Sequence, residues 1–296
     1  MALVTVTFVR HGESTDNLKT IWAGWKDAPL SNHGMNQAEA AGEYFASTNT
    51  SFTVIHASPL KRAHSTAQAI YRAQPDPKPP FHTSLDVREQ HFGAAEGHKW
   101  ILHSDRPYEE HYAKGEYPVI YDRSKGFPEG ESLNDLQARA ERAMNDIVVP
   151  AVWEAARTGT KAHLAIVSHG LCISELIATL VRKDKDANSS EKNAEGGSWT
   201  GLLNTAWTRV TIDVHGLGEG QTLEVNPEDP PPLKVAVTHV NQHSHLDKVK
   251  RQKGGIGSAA HDPAQKDIRA FFGGAKVEVE EGRATSNVFD ETLGDD

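Results

Sequence analysis

His11 and His169, Arg10 and Arg62, and Glu89 could together move a phosphoryl group. Arg10 and His11 are adjacent in FVRHGESTDN (residues 8–17), Arg62 lies in SPLKR, Glu89 in DVREQHFG and His169 in VSHG. A neutral imidazole is nucleophilic near neutral pH, and phosphorus is a suitable acceptor. The group in transit carries charge on its equatorial oxygens, which fixed arginines, backbone N–H groups and a second histidine stabilise. The departing alkoxide needs a proton, the task of a nearby carboxylic acid. Singly, each residue reads as an ordinary surface or core-edge side chain. Only the set is informative.

These residues must be positioned by elements that the hydrophobic pattern marks out. LVTVTFV (3–9), TVIHAS (53–58) and HLAIVS (163–168) read as buried strands. TSLDVRE reads as a short strand, and GLLNTAWTRVTIDV and LKVAVTHV as late strands. Helices are expected within PLSNHGMNQAEAAGEYFA with Ser31 as N-cap, over Lys61–Arg72, over Ser132–Arg157 and over LCISELIATLV (171–181). Alternating strands and helices imply an α/β fold, a doubly wound, mostly parallel sheet covered on both faces. Ligands of such sheets bind at the carboxyl ends of the strands. Arg10-His11, Ser58 and Ser168-His169 all fall there.

The chain of 296 residues has a formal net charge of -9 and 38% hydrophobic residues. This balance argues against a nucleic-acid binder or a binder of anionic membranes. An anionic substrate would need a local basic pocket. Cys172 is the sole cysteine, so no intrachain disulfide forms and a reducing compartment is expected. MALVTVTFVR has the wrong length and flanks for a signal peptide, and no apolar run is long enough to span a bilayer. A cytoplasmic protein is the expectation. From residue 247 the chain turns charged and small-residue rich, so a catalytic domain over 1–246 and a largely disordered tail over 247–296 are expected. A homo-oligomer is compatible with all of this.

RHGES-x-x-N, AGWKDAPLSNHGMNQA, SPLKRAHSTAQAI, LDVREQHFGAAEG, GES and VSHG, in this order, closely resemble the histidine phosphatase superfamily, also called phosphoglycerate mutase-like. The resemblance runs from Thr5 to about Leu246. It implies that His11 becomes phosphorylated and that Arg10, Arg62 and His169 form the phosphate pocket. It further implies Glu89 as proton donor, Ser14 and Asn17 as polar members of the same loop, and Gly24 as a backbone contact. No metal or other cofactor is implied.

Cofactor-dependent phosphoglycerate mutases of this superfamily carry a long basic insertion after the acid glutamate. Here only residues 90–131 separate Glu89 from Ser132, and that small cap contains no adjacent arginine pair. A small cap admits water to a phosphohistidine, and the late strand resembles that of the phosphatase branch. A phosphatase acting on a small phosphorylated substrate is therefore expected, with the mutase and a fructose-2,6-bisphosphatase as alternatives. A protein that works by docking is the alternative from another class.

Other signals carry less. Cys172 lacks the arginine six positions on that a cysteine phosphatase needs, since Ala178 stands there. His239, His243 and His245 form no convincing metal set along a strand that ends in a loop. In the tail, Gln265, Ile268, Phe271 and Phe272 resemble the peptide box that binds a sliding clamp. The alternative is that this face folds back on its own domain. KVKRQK reads either as a nuclear signal or as a solvated basic run.

Overall fold

The computed structural model describes residues 3–102, 106–184, 199–218, 220–226 and 229–262. Strand β1 (Val4–Arg10) lies near the centre of a six-stranded sheet of order β3-β2-β6-β1-β7-β8. The other strands of the sheet are β2 (Val54–Ala57), β3 (Phe81–Thr83), β6 (Ala162–Ser168), β7 (Trp207–Val214) and β8 (Leu233–Gln242). Strands β3, β2, β6 and β1 run parallel; β7 is antiparallel to both β1 and β8.

Apolar residues alternate between the two faces of β1, as a sheet covered on both sides requires. Val4, Val6 and Phe8 enter a core under helices α4 (Leu133–Ala143), α5 (Val149–Thr158) and α6 (Gly170–Arg182). Val9 faces the opposite core under α1 (Asn32–Ser47) and α2 (Lys61–Ala73). The fold is the expected doubly wound, mostly parallel α/β sheet.

The cap over residues 97–131 holds a small parallel pair, β4 (Trp100–Ile101) and β5 (Tyr117–Pro118), and the short helix α3 (Tyr108–Tyr112). It is anchored by a cluster of Phe92, Ala95, Tyr117 and Phe127, packed with Trp22, Tyr112 and Leu171.

Four expectations need correction. TSLDVRE contributes only Thr83 to a strand; the rest tightens into a 3-10 turn at Leu85–Val87, with the Ser84 hydroxyl accepting from the Asp86 N–H at 3.2 Å. The helix expected over Ser132–Arg157 is interrupted by a π turn at Met144–Val148. Pro150 has no N–H for the carbonyl four residues earlier, and the wider turn absorbs the misfit. The late strand begins at Trp207 rather than Gly201, because Gly201 and Thr205 take left-handed backbone at φ 76° and 59°.

The fourth concerns the boundary at residue 247: the compact unit continues to His261. Residues 256–261 dock on the start of α1 through backbone bonds. Asn32 N–H donates to the Ala259 carbonyl (2.9 Å) and His261 N–H to that of Leu30 (2.8 Å). Docking of this kind needs no apolar periodicity, which is why composition misses it. Gln265, Ile268, Phe271 and Phe272 lie outside the described residues, as does everything from Pro263 onward. Among the described residues no helix is long and apolar enough to cross a membrane.

Candidate active site

Strand register brings the distant motifs together. Arg10 pairs with Ser168 across β1 and β6, so His11 and His169 leave adjacent strands side by side. Their ring centroids lie 5.0 Å apart. Ala57 pairs with Val167, which places Ser58 next to Ser168. The Ser58 hydroxyl is 2.8 Å from His169 Nε2. Ser168 turns inward and its hydroxyl donates to the Val87 carbonyl at 2.7 Å.

His11 is buried, and its Nδ1 lies 2.7 Å from the Gly12 carbonyl. A carbonyl only accepts, so Nδ1 carries the proton and a neutral ring keeps its lone pair on Nε2. Burial, followed by the nearby charges of Arg62 and Arg10, holds His11 well below the ordinary histidine range. The same causes, with burial again the largest, depress His169. Both rings are therefore neutral near pH 7, and the positive charge of the site is carried by arginine.

Arg62, in the first turn of α2, is 1% exposed. Its Nη2 donates to the carbonyls of Gly24 (2.7 Å) and Ala23 (3.3 Å). Gly24 has no room for a side chain: a Cβ would sit 2.7 Å from the Gln90 carbonyl oxygen. Arg10 donates through Nη1 to the Leu202 carbonyl. Among the described residues, Arg10 Nε and His169 Nδ1 are buried without a protein partner. Groups left open in this way suit an oxyanion held between the two motifs.

Glu89 is buried at the start of α6. Its Oε1 accepts from the Cys172 N–H at 3.0 Å and its Oε2 from that of Leu171 at 3.3 Å. Its charge favours the cationic forms of both Arg10 and Arg62. Ser14 and Asn17 build a turn, in which Asn17 Oδ1 accepts from the Ser14 N–H (3.0 Å) and hydroxyl (3.1 Å).

The structure thus gathers Arg10, His11, Arg62, Glu89 and His169, with Ser14, Asn17 and Gly24 in the surrounding loops. Several supporting residues escape a sequence reading. Arg139 on α4 is buried and donates to the Glu89 carbonyl at 2.9 Å, while forking onto Glu131. Trp25 Nε1 donates to the same carbonyl at 2.7 Å. Asn204 Nδ2 donates to the His11 carbonyl at 3.0 Å. In sequence Arg139 is one charged residue on an amphipathic helix, and only the depth of its burial distinguishes it. The histidines of the late segment take separate partners: Thr238 for His239, the Asn241 carbonyl for His243 and Thr205 for His245. Cys172 is fully buried and burial pushes its thiol up to about 12.

The sequence model of the histidine phosphatase superfamily (branch 1) matches residues 6–213. The chain belongs to the histidine phosphatase superfamily. Its relatives include the 2,3-bisphosphoglycerate-dependent phosphoglycerate mutase of Bradyrhizobium sp. (strain ORS 278), 35% identical over 53% of this chain and 74% of that one. The enzyme of the same name from Bartonella henselae is 31% identical over 65% of this chain and 88% of that one. Among solved structures, "Mycobacterial hydrolase 1" superposes with a TM-score of 0.59 at 20% identity, covering 81% of this chain and 99% of that one. A mycobacterial glucosyl-3-phosphoglycerate phosphatase gives 0.56 at 20% identity, covering 79% and 97%. These superpositions show the superfamily fold. The sequence relatives are named mutases, and the two structural neighbours a hydrolase and a phosphatase.

Proposed function

We propose that the protein is a metal-independent phosphatase that hydrolyses phosphomonoesters through a phosphohistidine on His11. In the first step His11 Nε2 attacks phosphorus, the ester P–O bond breaks, and the leaving oxygen takes a proton from Glu89. In the second, Glu89 takes a proton from water, the resulting hydroxide oxygen bonds to phosphorus, and the N–P bond breaks to return the lone pair to Nε2. Arg10, Arg62 and His169 hold the equatorial oxygens, and each such donor is worth about 3–4 kcal/mol of barrier. The supporting observation is His11 itself: buried, neutral, with Nδ1 tied to the Gly12 carbonyl and two arginines in its field.

Hydrolysis is favoured over transfer by the small cap, whose aromatic cluster is spent on anchoring Trp22 and Leu171. The relatives' names favour the mutase as the second reading. The test is hydrolysis of an aryl phosphate in the presence of EDTA, with His11→Ala as control. Hydrolysis is expected together with an acid-labile, alkali-stable phosphoenzyme that His11→Ala fails to form. Interconversion of phosphoglycerates outpacing hydrolysis would replace this reading with the mutase. A folded, inactive wild type would favour the docking protein.

A further inference from the structure

Glu13 lies in the loop between His11 and Asn17 and is buried, although nothing in the proposed chemistry uses it. Its carboxylate is nonetheless fully engaged. Oε1 accepts from the Ser31 hydroxyl at 2.7 Å and from Arg251 Nη1 at 2.9 Å, while Oε2 accepts from Arg251 Nη2. The backbone of Glu13 is held as tightly. Its N–H donates to Gln37 Oε1 at 2.9 Å and its carbonyl accepts from the Ser31 N–H at 2.8 Å.

The peptide between Gly12 and Glu13 therefore joins two sites. Its N–H end is fixed by Gln37 on α1, and its carbonyl end accepts the proton of His11 Nδ1. That second bond decides which nitrogen of His11 bears the lone pair. Arg251 grips the residue at the hinge of this peptide from the far end of the chain. It is itself held there, since Nη1 also donates to the Ser258 hydroxyl at 3.2 Å. The surrounding segment is tied to α1 through Asn32 Nδ2, which donates to the Ile256 carbonyl at 2.9 Å. The Arg–carboxylate fork is bidentate, the geometry that fixes direction as well as distance.

We infer that Arg251 is a positioning residue for His11, acting through Glu13 to hold the Gly12–Glu13 peptide and, with it, the tautomer of the nucleophile. This rests on His11 being the nucleophile. Without the fork, Glu13 keeps only the Ser31 hydroxyl as side-chain partner, with His33 nearby. The carboxylate is then free to turn toward solvent and the peptide to tilt. Displacement of a nucleophile by about 1 Å from reacting geometry costs about 100-fold in rate.

The test compares Arg251→Ala, Arg251→Lys and wild type as full chains. Expected are a kcat for aryl phosphate hydrolysis lowered about 10- to 100-fold in Arg251→Ala, a KM changed little and partial recovery in Arg251→Lys. The 15N spectrum of labelled histidine gives a reading that needs no turnover. Wild-type His11 should be the Nδ1–H tautomer, and Arg251→Ala should show a mixture or faster exchange of that proton. A wild-type kcat together with an unchanged tautomer in Arg251→Ala overturns the inference, as does a kcat loss matched in proportion by lost folded protein. If wild type proves inactive, the phosphatase reading fails, and the tautomer comparison still decides the role of Arg251.

Discussion

Replacing Glu89 by Gln removes the proton it would donate while keeping most of its hydrogen bonds. Glu89 Oε1 accepts from the N–H groups of Gln90 and Cys172, both at 3.0 Å, and an amide oxygen accepts them equally well. The cost falls on Oε2, which the amide nitrogen replaces beside the Leu171 N–H at 3.3 Å. One long hydrogen bond is lost, worth about 1 kcal/mol, so Tm should fall by only a few degrees. The chemical cost is larger, because the amide has no proton to give; general acid catalysis of this kind contributes about 10²- to 10⁴-fold. That loss should depend on the leaving group. Phosphoenzyme formation from an alkyl phosphate, measured by rapid quench in a single turnover, should fall by the full factor. With nitrophenyl phosphate, whose phenolate departs without help, formation should fall far less, while breakdown by water slows. Equal losses for the two leaving groups would refute Glu89 as the acid.

Burial, aided by His82 for His56 and by Arg209 for His163, holds these two residues at about 4, below the ordinary 6.5. The unfolded chain therefore binds protons first. The stability these residues lend is whole above pH 6.5 and drains as pH falls toward about 4. Melting curves across that range should show a falling Tm, with a shallower slope in His163→Gln, and an unchanged slope would count against the burial argument. Gly12→Ala would place a Cβ 2.4 Å from the Gly34 carbonyl oxygen. Such overpacking costs about 1–3 kcal/mol, and because it displaces the peptide beside His11, kcat should fall more than Tm implies; full activity in a folded Gly12→Ala would contradict it. Cys172 should resist thiol reagents in the native protein and react once urea unfolds it, and native labelling would show that α6 opens.

The strands, and the motifs that the fold brings together around His11, were legible because both are local signals. Short apolar runs ending in Arg10-His11, Ala57-Ser58 and Ser168-His169 mark three strand ends, and parallel register does the rest. Ser31 was legible as a cap for the same reason: its hydroxyl accepts from Gly34 N–H within its own turn. What the sequence hides depends on partners far along the chain. TSLDVRE has strand-forming residues, yet its polar half is captured by Ser84 and then held by Arg139, which donates to the carbonyls of Asp86 and Arg88. The segment after residue 247 has the composition of a solvated tail, but Arg251 finds Glu13 across 238 positions. Propensity says nothing about either.

The charge of the whole chain poses a harder question, since a protein of net charge -9 is expected to hold an anion. The neighbours of Arg62 supply an answer. Burial lowers its affinity for the proton, and Glu89, Asp27, Asp16 and Glu96 act in the opposite sense, in that order. Glu96 is occupied with the N–H groups of Trp25 (2.7 Å) and Lys26 (2.6 Å), and Asp27 with that of Lys61 (2.7 Å), so neither folds onto the guanidinium as a direct ion pair. Arg62 instead turns Nη2 to the carbonyls of Ala23 and Gly24 and Nη1 to that of Lys26 at 3.4 Å. Its charge is supported at a distance and not neutralised at contact. With His11 and His169 both neutral, the proposed attraction for a phosphoryl dianion rests on arginine charge, chiefly that of Arg10 and Arg62 beside His11. An acidic chain can thus keep a cationic Arg62, because Glu96 and Asp27 are tied to backbone N–H groups of the loops around it.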